Sequence, residues 1–456
     1  MRRLHRKVPG YKKELKGEIT IFLSLIFILL LSLVSALIES ASIRIARNNR
    51  RADLSLALES VFAEYDVKLF ETYHIFALEG AYGTDSFSYE TILERLRYYG
   101  ADSTENEIGG ARFLTDGSGQ EFYRLAVQYE ADFTGLDHVL GKEESKFWEE
   151  KEGQTAEYEE ETKEILEEIT GKLGDAGETL PEEGNPIQLF SNWKQTGILS
   201  LLISDTSQLS NKALSLEQLP SQRQLREGVG TVASQEMVAG LAGKALFGSY
   251  LSKHFSCYTN CKAEQKLSYE MEYLIGGKKS DKENLEQVLG KMLLLRFPIN
   301  YIYLFSDTAK QAEAEAMAAG LCTVLTVPGI TELVKHAILL AWSYGESVMD
   351  LRTLIKGEKV ASVKTAENWQ LQLSSLAHLP EVTETQTQEE GLSYEEYLKI
   401  LLMLGEKETM SMRALDLIEN QLQLPMDHCI TNLRVTSTCS LRRGLFYEFE
   451  TSFAYQ

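Results

Sequence analysis

Cysteine and proline are both scarce, at five and eight in 456 residues. So few thiols exclude a disulfide scaffold for a chain of this length. Eight prolines exclude a Pro-rich stalk, and no long low-complexity tract occurs. A cationic surplus is missing too: 46 Lys/Arg face 67 Asp/Glu, for a formal charge of -21. That balance argues against nucleic acid and against adhesion by charge to anionic surfaces; solubility outside the cell is its simplest meaning. Catalytic signatures are lacking as well, with no H-E-x-x-H, no G-x-S-x-G, no Walker loop and seven scattered histidines. The expectation is a chain without cofactor, metal, nucleic-acid partner or small-molecule substrate.

What the sequence does have is one long greasy run. Ile19 to Ile38 carries no charge, and at about 1.5 Å per residue roughly 20 residues cross a hydrocarbon core of about 30 Å. Lipid offers the backbone no partners, so the run must be helical. A cleaved signal peptide is the alternative, but its apolar region is typically only about 7–15 residues. A retained single-pass anchor in the bilayer fits better. Arg2, Arg3, Arg6, Lys7, Lys12, Lys13 and Lys16 precede it, whereas Arg44, Arg47, Arg50 and Arg51 follow at more distance. The cationic excess places the N-terminus in the cytoplasm and the large C-terminal part outside the cell membrane.

The expected organisation is a basic tail over 1–17, a transmembrane helix over 18–38 and a membrane-proximal helix over 39–80. Residues 81–140 and 427–456 form an antiparallel sheet around a mostly helical insertion over 141–426. From Glu39 to about Glu71 there is no Pro or Gly, and apolar residues recur at three-four spacing through Leu54, Leu58, Val61 and Phe62. Gly110–Leu114 and Glu121–Phe133, around Asp116-Gly117-Ser118-Gly119, read as a hairpin. Asn432–Ser437 and Leu445–Tyr455 read as strands joined through Arg442-Arg443-Gly444, closing one sheet against the long helix. Glu143–Glu168 is a Glu-rich helix or connector, and Gly171–Pro186 reads as a linker. Leu321–Trp342 is apolar but interrupted by Glu332, Lys335 and His336, so it reads as a buried helix rather than a second span. The fold class is α+β, mainly α.

Two resemblances follow from particular residues. Gly17-Glu18-Ile19-Thr20-Ile21-Phe22, Glu39, Arg44, Arg47 and the downstream Tyr65-Asp66 and Leu69–Leu78 resemble TadE/TadG-like proteins of tight-adherence pili. There an L-x-x-Y-G-L-F-like pattern follows the anchor; here His74 replaces the usual small residue. Further on, Tyr269–Gly277, Asp281–Leu285, Trp342–Ser347 with Asp350, and Gly391–Leu398 resemble an uncharacterised family of membrane-anchored proteins associated with Tad-type pilus genes in Gram-positive bacteria. The resemblance implies a pilin-like or assembly role and partners among pilus or envelope proteins, met through the N-terminal helix. Prepilins are cut after a Gly and carry Glu at the fifth mature position. Gly17 would be that Gly, but Phe22 stands where the Glu belongs, so the chain is expected to stay full-length.

The candidate contact residues are Ser32, Ala36 and Ser40, four apart on one helix face, where small side chains let membrane helices approach. Their bland reading is serines bonding back to their own helix. Glu39, at the outer membrane edge, either pairs with a neighbouring subunit or is a simple interfacial charge. Cys257 with Cys261, and Cys429 with Cys439, are possible disulfides, while Cys322 reads as core. His254-x2-Cys257-x3-Cys261 lacks a fourth zinc ligand. Gly228-x-Gly230-x-x-Ala233 follows no strand and reads as a turn rather than a dinucleotide loop. Glu346 and Asp350, one helical turn apart, form either a carboxylate pair or, more simply, a salt-bridged one. The expected function is a non-enzymatic structural or assembly component of a Tad-like pilus or surface system. The alternative is an envelope hydrolase or ligand sensor with its site in the helical insertion.

Overall fold

The computed structural model describes residues 16–455, apart from 85, 135–141, 183–184, 233–237, 239, 263–264, 324 and 442–443. The basic tail, up to Leu15, lies outside the described residues. A single helix, α1 (Lys16–Phe62), begins what is described. From Ile19 to Ile38 its large apolar side chains are all exposed. Further along, Leu54, Ala57, Leu58, Val61 and Phe62 are buried on one face, as the three-four spacing requires. One helix thus has an uncovered greasy half and an amphipathic half.

The sequence reading carries this helix to Glu71, but it ends at Phe62. Asp66 accounts for the break: its carboxylate accepts the Leu69 N–H at 2.7 Å and caps a new helix, α2 (Val67–Tyr73). His74 ends α2 in the left-handed conformation (φ 54°), a position that favours Gly. Its ring stacks on Tyr129, with centroids 4.8 Å apart. The histidine therefore occupies a helix stop.

The buried stripe of α1 lies on an antiparallel sheet built from β1 (Leu78–Glu79), β2 (Glu105–Phe113), β3 (Val229–Gly230), β4 (Cys429–Ser440) and β5 (Phe446–Ala454). β4 is central, with β2 along one edge and β5 and the short β1 along the other; β3 flanks β2. Phe62 packs against Phe453 and Tyr455 at 4.5 and 5.1 Å, and the Tyr455 hydroxyl donates to the Phe62 carbonyl. The end of the chain closes on the first helix, as the strand pattern predicts.

In the other half of the predicted sheet, Gly110–Leu114 falls largely within β2, but the second strand is wrong. Glu121–Phe133 is not a strand but most of a helix, α4 (Asp116–Thr134). Gly117, Ser118 and Gly119 take φ of +63°, +59° and +78°, a left-handed turn that feeds a helix instead of returning a hairpin. Phe122 to Val127 are all buried, because α4 is covered by α8 (Gly240–His254) and α14 (Lys407–Leu422).

The remaining helices are α3 (Tyr89–Leu96), α5 (Lys142–Ala176), α6 (Pro186–Thr196), α7 (Ile198–Leu202), α9 (Glu270–Gly276), α10 (Asp281–Ser306), α11 (Thr308–Leu321), α12 (Ile330–Ile355) and α13 (Tyr394–Leu404). α5 runs through Gly171 and Gly174 and ends at Ala176, so helix takes up the first part of the predicted linker. α10 and α12 are the core of the helical body. α10 is apolar and long enough to cross a membrane, but 67% of its apolar window is buried inside the protein. α12 takes up most of the apolar Leu321–Trp342 stretch, with Trp342 buried and its indole donating to the Leu371 carbonyl at 2.9 Å.

Candidate functional site

On the uncovered half of α1, Ser32, Ala36 and Ser40 are exposed and share a face, as their spacing requires. The Ser32 hydroxyl donates to the Leu29 carbonyl at 2.8 Å, so it is satisfied within its own helix and costs nothing in lipid. Glu39 is half-buried just past the apolar run. By length and composition this half is a candidate membrane span or a signal sequence.

The cysteines are all free thiols. Cys261 donates to the carbonyls of Cys257 and Tyr258 at 3.3 and 3.4 Å, within one turn. Cys429 and Cys439 do not flank the hairpin turn; both lie on β4, which corrects their proposed pairing. Ten residues at about 3.3 Å each separate them by roughly 33 Å, whereas a bridge needs Cα atoms within about 7 Å. His254 Nδ1 lies 3.0 Å from the Thr72 carbonyl. Among the described residues no cluster of three or more His, Cys, Asp or Glu is placed to hold a metal.

Glu346 and Asp350 project from α12 into a closed ionic cluster. Lys364 Nζ is 2.5 Å from Glu346 and 2.7 Å from Asp350, and Arg296 on α10 reaches Asp350 at 2.9 Å. All four side chains are buried. Burial pushes the Asp350 carboxyl up, but Arg296 and Lys364 overcome this and hold it below its ordinary value. Glu346 goes the other way, raised by burial that Lys364 only partly offsets. The group is closed off from bulk solvent, and the pair is salt-bridged, as its simpler reading has it.

The Tyr269–Gly277 motif is equally internal. Glu270 accepts the Ser256 N–H and hydroxyl, and Glu272 accepts the Tyr258 N–H at 2.9 Å and the Tyr394 hydroxyl at 2.8 Å. Asp281 accepts the N–H groups of Ser268 and Tyr269. The three acids of the motif region thus clamp the chain around residues 256–269. Burial pushes the Glu272 carboxyl up to about 7.

Sequence reasoning missed an opening, a cavity of about 1010 Å³ between the start of α4 and residues 221–228. Its walls include Arg112, Asp116, Ser118, Arg223 and Arg226. Asp116 accepts the N–H groups of Phe113 and Gly228 at 3.1 and 2.9 Å, joining two segments far apart in sequence. Gly228 is obligatory: an added Cβ would lie 2.3 Å from the Asp116 carboxylate and 2.4 Å from the Ala111 carbonyl. Arg223 is held by Glu419 and Asp427, both at 2.8 Å, while the Arg226 guanidinium lies over Phe87 at 4.4 Å. Both turns were visible in sequence, but nothing there brings them together. Gly228 and Gly230 form a turn and a β-bridge rather than a phosphate loop; Ala233 lies outside the described residues.

These features define a class: an α+β body on an apolar stem, with its motif acids turned inward. Residues 176–441 match a family of unknown function, DUF5702. The match covers more than half of the chain, which therefore belongs to that family. It takes in α9, the ionic cluster and β4, and leaves Lys16–Leu78 outside it. No curated protein and no solved structure matches the chain.

Proposed function

We propose that the protein is a single-pass, membrane-anchored structural or assembly component of a Tad-like pilus or related surface system, with its body outside the cell. The observation that carries this is the uncovered half of α1: about 30 Å of apolar helix beyond a closed body, with small residues on one face. The resemblance of Lys16–Leu78 to TadE/TadG-like proteins adds to it, and the inward-facing motif acids favour a non-enzymatic role. Lateral contact would run through Ser32, Ala36 and Ser40, with Glu39 at its outer end. A photo-crosslinker at Ala36 in native membranes should capture a second copy or another envelope protein, and Ser32→Leu with Ser40→Leu should abolish the adduct. A full-length chain released by lysis without detergent, or adducts indifferent to the leucines, would refute the reading.

A ligand sensor is the second reading, favoured by the polar cavity beside Arg226. On the assembly reading, inorganic phosphate and acetate leave the melting temperature unchanged. A rise that Arg226→Ala removes would put the sensor first.

A further inference from the structure

We propose that the outer edge of β5 takes up an extended segment of another protein, one with Asp or Glu on the side that faces α1. This goes beyond the assembly reading and needs only the fold of the body, not a membrane span. β5 is nine residues long, and among the described residues it pairs with β4 alone. The bonds at its two ends show which way its backbone groups point. The Tyr455 N–H donates to the Thr431 carbonyl at 3.1 Å, and the Leu441 N–H donates to the Leu445 carbonyl at 2.7 Å. In an antiparallel ladder such bonds recur at every second residue, so Tyr447, Phe449, Thr451 and Phe453 turn their N–H and C=O groups to β4. Phe446, Glu448, Glu450, Ser452 and Ala454 turn theirs outward. No described residue bonds to those outward groups.

An open edge is a template for another strand unless proline, lysine or a bulge guards it, and β5 has none of the three. A second copy of the chain is a poor occupant. The antiparallel register that pairs all nine residues of β5 with themselves sets Glu450 against Glu450, and like charges directly opposite are destabilising.

Charge says what suits the edge instead. Arg47 lies over the Tyr447 ring at 4.7 Å, and Arg51 lies 5.9 Å from the Tyr447 and Phe449 rings. Both arginines are exposed, and neither has a carboxylate partner among the described residues. Residues of an added strand opposite Tyr447 and Phe449 stand on that same face, about 5 Å from them. Carboxylates at those two places meet the guanidiniums. The residue between them falls on the other face beside Glu448, where Lys or Arg is complementary; Glu450 is already held by Arg434 at 3.3 Å. The edge therefore reads an acid–base–acid run in an extended chain.

The test uses the full chain in detergent and a fluorescein-labelled peptide, Thr-Val-Thr-Val-Thr-Glu-Lys-Glu-Thr, built to pair antiparallel with Phe446–Ala454. It should bind saturably, and amide exchange should slow at Glu448, Glu450 and Ser452. Phe449 and Thr451, already bonded to β4, should change little. N-methyl groups on the third, fifth and seventh residues of the peptide, whose N–H groups face β5, should abolish binding; on the fourth and sixth they should leave it. Arg47→Gln with Arg51→Gln should weaken binding about fivefold, the scale of two exposed ion pairs. No saturable binding up to about 1 mM overturns the proposal. So does binding that survives the inward-facing N-methyl groups, because the edge would not be what holds the peptide. Binding that the two arginine substitutions leave unchanged overturns the assigned partner chemistry.

Discussion

Asp350→Leu should cost the fold about 3–5 kcal/mol, because it leaves Arg296 charged and buried without its carboxylate. The four-residue cluster is neutral as it stands, with Arg296 and Lys364 balanced by Asp350 and Glu346. Removing one member leaves a net charge where all four side chains are buried. Asn300 loses its bond to Asp350 as well. The double replacement Arg296→Met with Asp350→Leu restores neutrality and keeps the Lys364–Glu346 pair. It should return to within about 1 kcal/mol of wild type, since apolar substitutes for a buried ion pair are often neutral or better. Urea unfolding of the full chain in detergent, followed by near-ultraviolet circular dichroism, measures both. A single variant as stable as wild type, or a double variant no better than the single, would show that the cluster does not carry this weight.

That cluster also marks how far the sequence could be read. The spacing of Glu346 and Asp350 puts them on one face of a helix, and both are there. Their partners are not visible, because Arg296 belongs to α10 and Lys364 to irregular chain beyond α12, and no local pattern connects them. The same limit hid the cavity, whose Asp116 and Gly228 are 112 residues apart and meet only in the folded chain. The stem, the order of most helices and the last two strands were legible because each rests on a long local period. Glu121–Phe133 failed for the opposite reason. A helix buried around much of its circumference shows apolar residues at two-residue spacing as readily as a strand does, and Asp116-Gly117-Ser118-Gly119 looks like a hairpin turn in either case. The helix after Phe62 was overextended because the sequence there lacks Pro and Gly. The break is made by Asp66 as an N-cap, a weaker signal than either.

A second large effect should appear with pH. Glu272 is fully buried; two donors reach one of its oxygens, and the other finds no partner among the described residues. Burial raises its carboxyl from an ordinary 4.5 to about 7. Below 4.5 both folded and unfolded chains hold the proton, and the group's contribution to stability is fully present. Between 4.5 and 7 the unfolded chain releases the proton while the folded one retains it, so stability falls as pH rises. The loss should reach about 3 kcal/mol at pH 8, at 1.36 kcal/mol per unit. Glu272→Gln keeps an acceptor for Tyr258 and Tyr394 but cannot ionise. It should match wild type near pH 5 and exceed it by about 3 kcal/mol at pH 8. The difference between the two proteins is the diagnostic quantity, because other groups titrate in the same range. His254 is the clearest: burial lowers it to about 4, so its contribution is full above 6.5 and declines as pH falls, the opposite slope. Subtracting the variant's curve from that of wild type cancels His254 and leaves Glu272. A difference that stays flat from pH 5 to 8 would mean that Glu272 is ionised in the folded protein, and that the Tyr269–Gly277 helix holds residues 256–258 with a charged acid rather than a neutral one.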